Sequence, residues 1–279
     1  VSPGLPPPAL AAQLAEAVLR RFQDCLTRFE PESELGRVNA DPREVVPVSP
    51  LVASALSAGL RAAELSGGLV DPTLTGALER AGYGSSLAGA VPAPLAEAVH
   101  AAPARAPARP RADASWRAVS VEDGRVARPP GTRFDLGGTA KGLAADTCAR
   151  QLSAYATFAV DAGGDVRVGG ARPVQRMVEV DHPLRGGRAH RFLLATGAVA
   201  TSGLGTRIWR RAQGFGHHLL DPATGEPAWT GVIQATALAP TALEAEALAK
   251  VALLSGPEPA LRVLAGHGGV LVLDDGRVL

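Results

Sequence analysis

Aromatic side chains make up only 4% of this 279-residue chain. Base stacking on an aromatic platform, a common grip on single-stranded nucleic acid, is therefore not expected. Net charge is equally thin, with 28 basic residues against 27 acidic ones and a formal charge of +1. That leaves no general field to gather nucleic acid or an anionic membrane surface. The locally basic runs Arg105 to Arg111 and Arg207 to Arg211 are read as solvated loop. Cysteine is nearly missing too. Cys25 and Cys148 sit on apolar stretches with helical spacing and are expected in the core as small groups, not as a disulfide or metal pair. No apolar run approaches the ~18 residues of a spanning helix, and no signal peptide or lipid-attachment cysteine stands near the start. Val1 in place of Met predicts that earlier residues have been removed, so the compartment stays open.

What is present is enough for a substantial core. Hydrophobic residues are 46% of the chain and mean hydropathy is +0.10, carried mainly by Ala, Val and Leu. Residues 1–279 are read as a single unit, with a loose Pro-rich stretch over 1–8 and an Ala/Pro-rich insertion over about 84–116 lying across the core. Apolar spacing predicts a helix over Leu10 to Leu26, and a second over Leu51 to Leu65 with Ser49 as N-cap and Pro50 at the first turn. A further turn or two of helix is expected at Ala93 to Val99, and helices at Lys141 to Leu152 and from Thr241 to Leu254, the last stopped by Ser255-Gly256-Pro257. Ala118 to Val121 and Gly124 to Ala127 read as a hairpin; Phe158 to Asp161, Val166 to Gly169, Met177 to Val180, Arg191 to Leu194 and Val232 to Ala239 read as strands. Val270 to Leu273 with Val278-Leu279 closes the chain as another hairpin. Strands in runs with helices between them predict an α+β fold.

Chemistry concentrates in a few glycine-marked segments. Asp135-Leu-Gly-Gly-Thr-Ala-Lys-Gly-Leu-Ala-Ala-Asp146 reads as a strand stopped by Gly137 and Gly138, then a helix. Main-chain N–H groups at such a junction can bind an anion, and Lys141 adds a point charge. Val160-Asp-Ala-Gly-Gly-Asp-Val166 follows, and His217-His-Leu-Leu-Asp-Pro-Ala-Thr-Gly225 lies further on. Each has a plain reading as a turn; Asp71-Pro72-Thr73 and Asp221-Pro222 suit turns in any protein. Asp165 reads as an anchor for its glycine turn. His100, His182, His190 and His267 sit in loop contexts and receive no role.

In their shared order these segments resemble the FAD:protein FMN transferase (ApbE) family. The match is to its D-L-G-G-x-A-K-G-x-x-x-D, D/N-A-G-G-D and H-x-x-D-P-x-T-G motifs. Pro31 to Asn39 is similar to its S-E-x-x-R-x-N segment, Gly67 to Thr73 to its G-x-x-D-P-T segment, and Thr201-Ser202-Gly203 to its S-G. The likeness runs from about Phe22 to Gly256. It implies a fold of mixed or antiparallel sheets with packed helices, related to the T-fold. It implies FAD as substrate and transfer of FMN to a Thr or Ser hydroxyl of an acceptor flavoprotein or peptide, with AMP released. Alternatives are a weak or inactive FAD-binding protein, and hydrolysis of FAD to FMN and AMP. By the same resemblance Gly137, Gly138 and Lys141 line the pyrophosphate, and Asp161, Ala162 and Gly163 form the nucleotide-contacting turn. Glu34, Arg37, Asn39, Asp71 and Thr73 wall the flavin and adenine sites, together with Ser202 and Gly203. His218 orients or deprotonates the acceptor, His217 being the weaker candidate, and Asp221 fixes the turn that carries His218.

Two departures stand out. The family's late helix reads A-D-A-L-S-T, where the resemblance implies that Asp and Thr bind Mg²⁺ with a carbonyl of the A-K-G turn. This chain has Ala245-Glu246-Ala247-Leu248-Ala249-Lys250. Ala140, by its carbonyl, and Glu246 remain as metal candidates, but a protonated Lys250 has no lone pair to offer and Mg²⁺ demands near-ideal octahedral oxygen ligation. The sharper reading puts the Lys250 ammonium in the place of the ion, held by Glu246. The plain one is an i,i+4 salt bridge on a helix surface. The second departure is an early flavin-covering strand, often containing M-G-T, that residues 1–8 do not hold.

Overall fold

Small side chains shape the centre of this molecule. The computed structural model describes residues 4–279, so the predicted loose start at Val1 to Pro3 lies outside the described residues. Helices α1 (Pro8–Leu26), α2 (Glu34–Ala40) and α3 (Pro50–Leu65), with β1 (Val45–Pro47), make up the first part. Short helices α4 (Thr75–Arg80) and α5 (Leu95–His100) follow, then the hairpin β2 (Ser120–Glu122) and β3 (Arg125–Ala127) and helix α6 (Ala140–Leu152). Next come β4 (Phe158–Asp161), β5 (Val166–Gly169), β6 (Arg176–Asp181), β7 (Arg188–Leu194), β8 (Gly197–Gly203), β9 (Ile208–Arg210), β10 (Phe215–His217) and β11 (Val232–Ala239). The chain ends with α7 (Ala242–Ser255), α8 (Pro257–Ala265) and β12 (Gly269–Leu273).

The main sheet has five strands in the order β12-β11-β8-β5-β4, all antiparallel. Register is held at its middle by Thr236 opposite Thr201, whose hydroxyls meet at 2.9 Å. β11 presents Ala235, Ala237 and Ala239, and α7 presents Ala242, Ala245, Ala249 and Ala252, all buried. With methyl groups on facing surfaces, α7 can press close to the sheet and still fill space. A smaller sheet, β1-β3-β2, and the ribbons β6-β7 and β9-β10 complete the strands. The fold is α+β, as expected.

Helix α3 starts as the sequence dictates, with Pro50 in its first turn and the Ser49 hydroxyl accepting from the Val52 N–H. Ser33 caps α2 and Thr241 caps α7 in the same way. Three expectations need correction. No ladder strand precedes Gly137, because the Phe134 and Asp135 N–H groups bond to the Asn39 side chain and the Pro72 carbonyl instead. The stop at Gly256, in the left-handed region at φ 80°, is only a corner, since Pro257 at once opens α8. Third, Pro8 is already helical. The segment 84–116 packs Leu95, Ala98 and Ala108 into the cluster that also holds residues of β11 and α7.

Helices α6 and α7 meet where Gly142 lies against the start of α7. A Cβ at Gly142 would fall 2.6 Å from the Ala242 carbonyl oxygen, well inside contact distance. Each helix also caps the other. Asp146 of α6 accepts from the Ala242 and Leu243 N–H groups at 2.9 and 3.0 Å, and Glu246 of α7 accepts from the Gly142 N–H at 2.9 Å. Carboxylates at helix N-termini gain from both hydrogen bonding and the helix dipole. Gly142→Ala is expected to lower stability by about 1–3 kcal/mol through overpacking, read as a lower urea midpoint with unchanged slope.

Candidate functional site

The segment that the sequence reads as a strand takes its bonds elsewhere. The Phe134 N–H donates to Asn39 Oδ1, Asn39 Nδ2 donates back to the Phe134 carbonyl, and the Asp135 N–H donates to the Pro72 carbonyl. Asp135 then shapes the glycine turn. Its Oδ1 accepts from the Gly137 N–H, and its Oδ2 takes the Arg28 guanidinium, which also donates to the Tyr83 carbonyl. The Arg28 side chain is buried and packs over the Phe29 and Tyr83 rings.

A second turn joins β4 to β5. The Gly164 N–H donates to Asp161 Oδ1, and the Ala162 N–H donates to the Asp165 carbonyl. Gly163 and Gly164 have φ of 69° and 93°, the left-handed region that glycine enters without a Cβ penalty. Asp165 turns inward and is fully buried. One of its oxygens takes the Lys141 ammonium, while Oδ1 has no hydrogen-bond partner.

Lys141 reaches Asp165 from the first turn of α6 and lies 3.5 Å from Glu246 Oε1. The Lys250 ammonium donates to the same Glu246 oxygen at 3.1 Å. Two ammoniums and two carboxylates thus alternate beneath the two glycine turns. The Lys250–Glu246 pair is not on the surface: Glu246 is 1% exposed and the Lys250 side chain 12%. Burial works against the Lys141 charge, but Glu246 and Asp165 outweigh it and its pKa is raised. Burial likewise resists ionisation of Glu246, and Lys250 and Lys141 reverse that, so its pKa is lowered. Burial, and then Glu246, push the Asp165 carboxyl up to about 6 against the pull of Lys141.

Lys141 and Lys250 line a cavity of about 1200 Å³, large enough for a dinucleotide-sized ligand. Gly137, Gly138, Ala140, Lys141, Asp161, Ala162, Gly163 and Lys250 line it, as do Ser202 and Gly203 at the end of β8 and Asp71 on another wall. His218 lines the same cavity, with its Nδ1 3.4 Å from the Arg207 carbonyl. Tyr83 stacks on Trp209 at 5.6 Å and touches the Phe29 and His218 rings edge-on.

Other residues named from the sequence stand outside this wall. Both Glu34 oxygens serve Ser49 at 2.7 Å, tying α2 to the cap of α3. Arg37 pairs with Glu32 at the exposed surface. Asn39 holds Phe134. Thr73 donates, by N–H and hydroxyl, to Asp71 Oδ1. Asp221 Oδ1 accepts from the Arg109 and Ala223 N–H groups, fixing the loop after His218. Arg207 corrects the reading of its run as solvated loop: it is half-buried, lines the cavity and leads into β9. Arg28, Tyr83 and Arg207 were not found from sequence, since none sits in a glycine motif; Asp165 did sit in one, and only its burial reveals more than a turn anchor.

The donor set does not fit a divalent cation. Glu246 Oε2 is committed to the Gly142 N–H and Oε1 to Lys250, with Lys141 beside it. Among the described residues no group of three or more His, Cys, Asp or Glu converges as metal ligands.

A family model described as the ApbE family matches residues 5–273. The chain belongs to the ApbE family. A relative named FAD:protein FMN transferase, from Treponema pallidum, is 29% identical over 289 residues, covering 94% of this chain and 76% of the relative. The solved ApbE protein of Thermotoga maritima superposes with a TM-score of 0.80 at 27% identity, across 100% of this chain and 91% of that one. The apo flavinyl transferase ApbE of Pseudomonas stutzeri shares the fold, with a TM-score of 0.74 at 23% identity over 99% and 86% of the two chains.

Adjacent histidines are treated differently by this ApbE-family fold. His217 is fully buried, its ring edge-on to Trp229 at 4.7 Å, with neither nitrogen hydrogen-bonded. Burial pushes its pKa down to about 3. Because the unfolded chain then binds the proton more tightly, His217 takes stability away as pH falls from 6.5 towards 3. His217→Phe is expected to narrow the difference in Tm between pH 8 and pH 5, whatever its cost at neutral pH.

Proposed function

We propose that this chain transfers FMN from FAD to the hydroxyl of a Thr or Ser in a partner flavoprotein and releases AMP. The observation that carries this reading is that Lys141, Lys250, the glycine turns and His218 all line one dinucleotide-sized cavity. The family membership and the name of the Treponema pallidum relative support it.

In such a reaction the acceptor oxygen forms a bond to the phosphorus of the FMN half. The phosphoanhydride P–O bond breaks, and AMP departs with its electron pair. Catalysis is then mostly positioning and charge neutralisation. Lys141 and Lys250 would hold the diphosphate, and the turns at Gly137-Gly138 and Asp161 to Gly163 would let the ligand approach the backbone. His218 would take the acceptor proton. With its Nδ1 proton given to the Arg207 carbonyl, Nε2 keeps a lone pair for that task. Burial, and then Arg207, hold its pKa well below the usual 6.5, so the ring is neutral and ready as a base.

One observation favours a second reading, FAD binding without transfer: the Glu246–Lys250 pair leaves no ligand set for Mg²⁺ where the family resemblance expects one. The two separate cleanly when the chain is incubated with FAD and a peptide bearing an acceptor Thr. Peptide gaining the mass of FMN, with AMP formed in equal amount, is the expected result. His218→Asn should lower the rate by about 10²- to 10⁴-fold while FAD still binds. FAD bound but intact, with unlabelled peptide, would establish the second reading instead.

A further inference from the structure

Of the 28 basic side chains in this protein, only Lys141 and Lys250 are lysine; every other one is arginine. Both lysines lie in the same buried cluster, and both line the same cavity. We propose that they form a paired ammonium site for the diphosphate of a dinucleotide, with Asp165 and Glu246 as buried counter-charges, and that this site binds its ligand with no divalent cation. The inference rests on the flavin reading above for the identity of the dinucleotide.

Three features of the cluster argue for a built anion site. First, the charges are layered. Both carboxylates are essentially buried, at 0 and 1% side-chain exposure, whereas Lys141 retains 33% and Lys250 12%. The positive layer therefore faces the cavity, and the negative layer lies behind it.

Second, the lysine stems lie against the glycine turns. A Cβ at Gly138 would lie 3.4 Å from Lys250 Cε, and one at Gly163 would lie 3.7 Å from Lys141 Cδ. Both are contact distances, so each lysine stem lies along one of the glycine turns. The two motifs that mark the sequence thus seat the two ammoniums next to backbone that a phosphate can approach.

Third, both ammoniums are already fixed by ion pairs, Lys141 on Asp165 and Lys250 on Glu246. Ligand binding therefore costs little further side-chain ordering. Lysine also suits the task better than arginine. Its compact ammonium has three donors that need not lie in a plane, so it can serve oxygens of two phosphates as a small cation would. Both Glu246 oxygens are already used, and a metal beside them would meet the positive charges of Lys141 and Lys250.

The test measures FAD, ADP and riboflavin binding to the full chain in EDTA and in millimolar Mg²⁺. FAD and ADP are expected to bind equally under both conditions, and FAD in EDTA should slow acetylation of Lys250 by an amine-reactive reagent, read by peptide mass. Lys250→Met should weaken FAD and ADP by about 10- to 100-fold, the loss of one charge-assisted contact, and leave riboflavin unchanged. Because that variant leaves buried Glu246 with one partner fewer, the double variant Glu246→Gln with Lys250→Met removes both charges and avoids an unpaired ion; it should lose FAD affinity to the same degree. FAD binding that requires Mg²⁺, or an unchanged affinity in both variants, overturns this inference and leaves the flavin reading standing. No FAD binding under any condition overturns both.

Discussion

Two helices that cap each other hold this site together. Asp146 reaches from α6 to the first N–H groups of α7, and Glu246 reaches back from α7 to the N–H of Gly142. The exchange works only because Gly142 lets the start of α7 come within contact distance of α6. It places the first turn of α6, and so Lys141, beside the one stretch of α7 that carries Glu246 and Lys250. Asp146 is further tied to Arg167 of β5 at 3.3 Å, which links the helix pair to the strand that begins beside Asp165. Loosening this contact would separate the two cations and their counter-charges together.

Burial divides the labour among the polar groups. A charged group is kept inside a protein only when a partner compensates its lost hydration, and here Lys141, Lys250, Asp165 and Glu246 compensate one another. The arrangement uses Glu246 twice, as a helix cap and as an ammonium anchor, which is why it has no oxygen left for a metal. The two histidines show the same rule from its other side. His217, with no partner, is driven neutral and packs as an aromatic group; His218, one residue on, meets a carbonyl and a cavity and keeps a nitrogen for chemistry.

Much of this was legible in the sequence, for physical reasons that can be named. Helix α1 carried apolar spacing, α3 and α7 carried Ser49 and Thr241 as caps, and the glycine motifs flagged the turns around the cavity. Strand β8 was missed because Gly-Ala-Val-Ala-Thr-Ser-Gly has too little side-chain bulk to show alternation, although it runs through the middle of the main sheet. Helix α8 was hidden by a Gly-Pro pair that normally ends helices. Glu34, Arg37 and Asn39 stand in a motif yet act here through Ser49, the surface and Phe134, since spacing along a chain cannot say which way a side chain turns. Arg28 carried no local signal, because its partners Asp135 and Tyr83 lie far away in sequence, and Arg207 showed only as part of a basic run. The Glu246–Lys250 spacing was visible, but only the fold shows that the pair is buried beside Lys141.

The most direct measurement of the central claim is a crystal structure of this chain grown with FAD in the presence of EDTA. The account predicts the diphosphate oxygens in hydrogen-bond contact with both Lys141 and Lys250, no metal ion between them, and His218 Nε2 turned towards the phosphorus of the FMN half. A diphosphate lying away from the two lysines, with the cluster unchanged beneath it, would contradict the account.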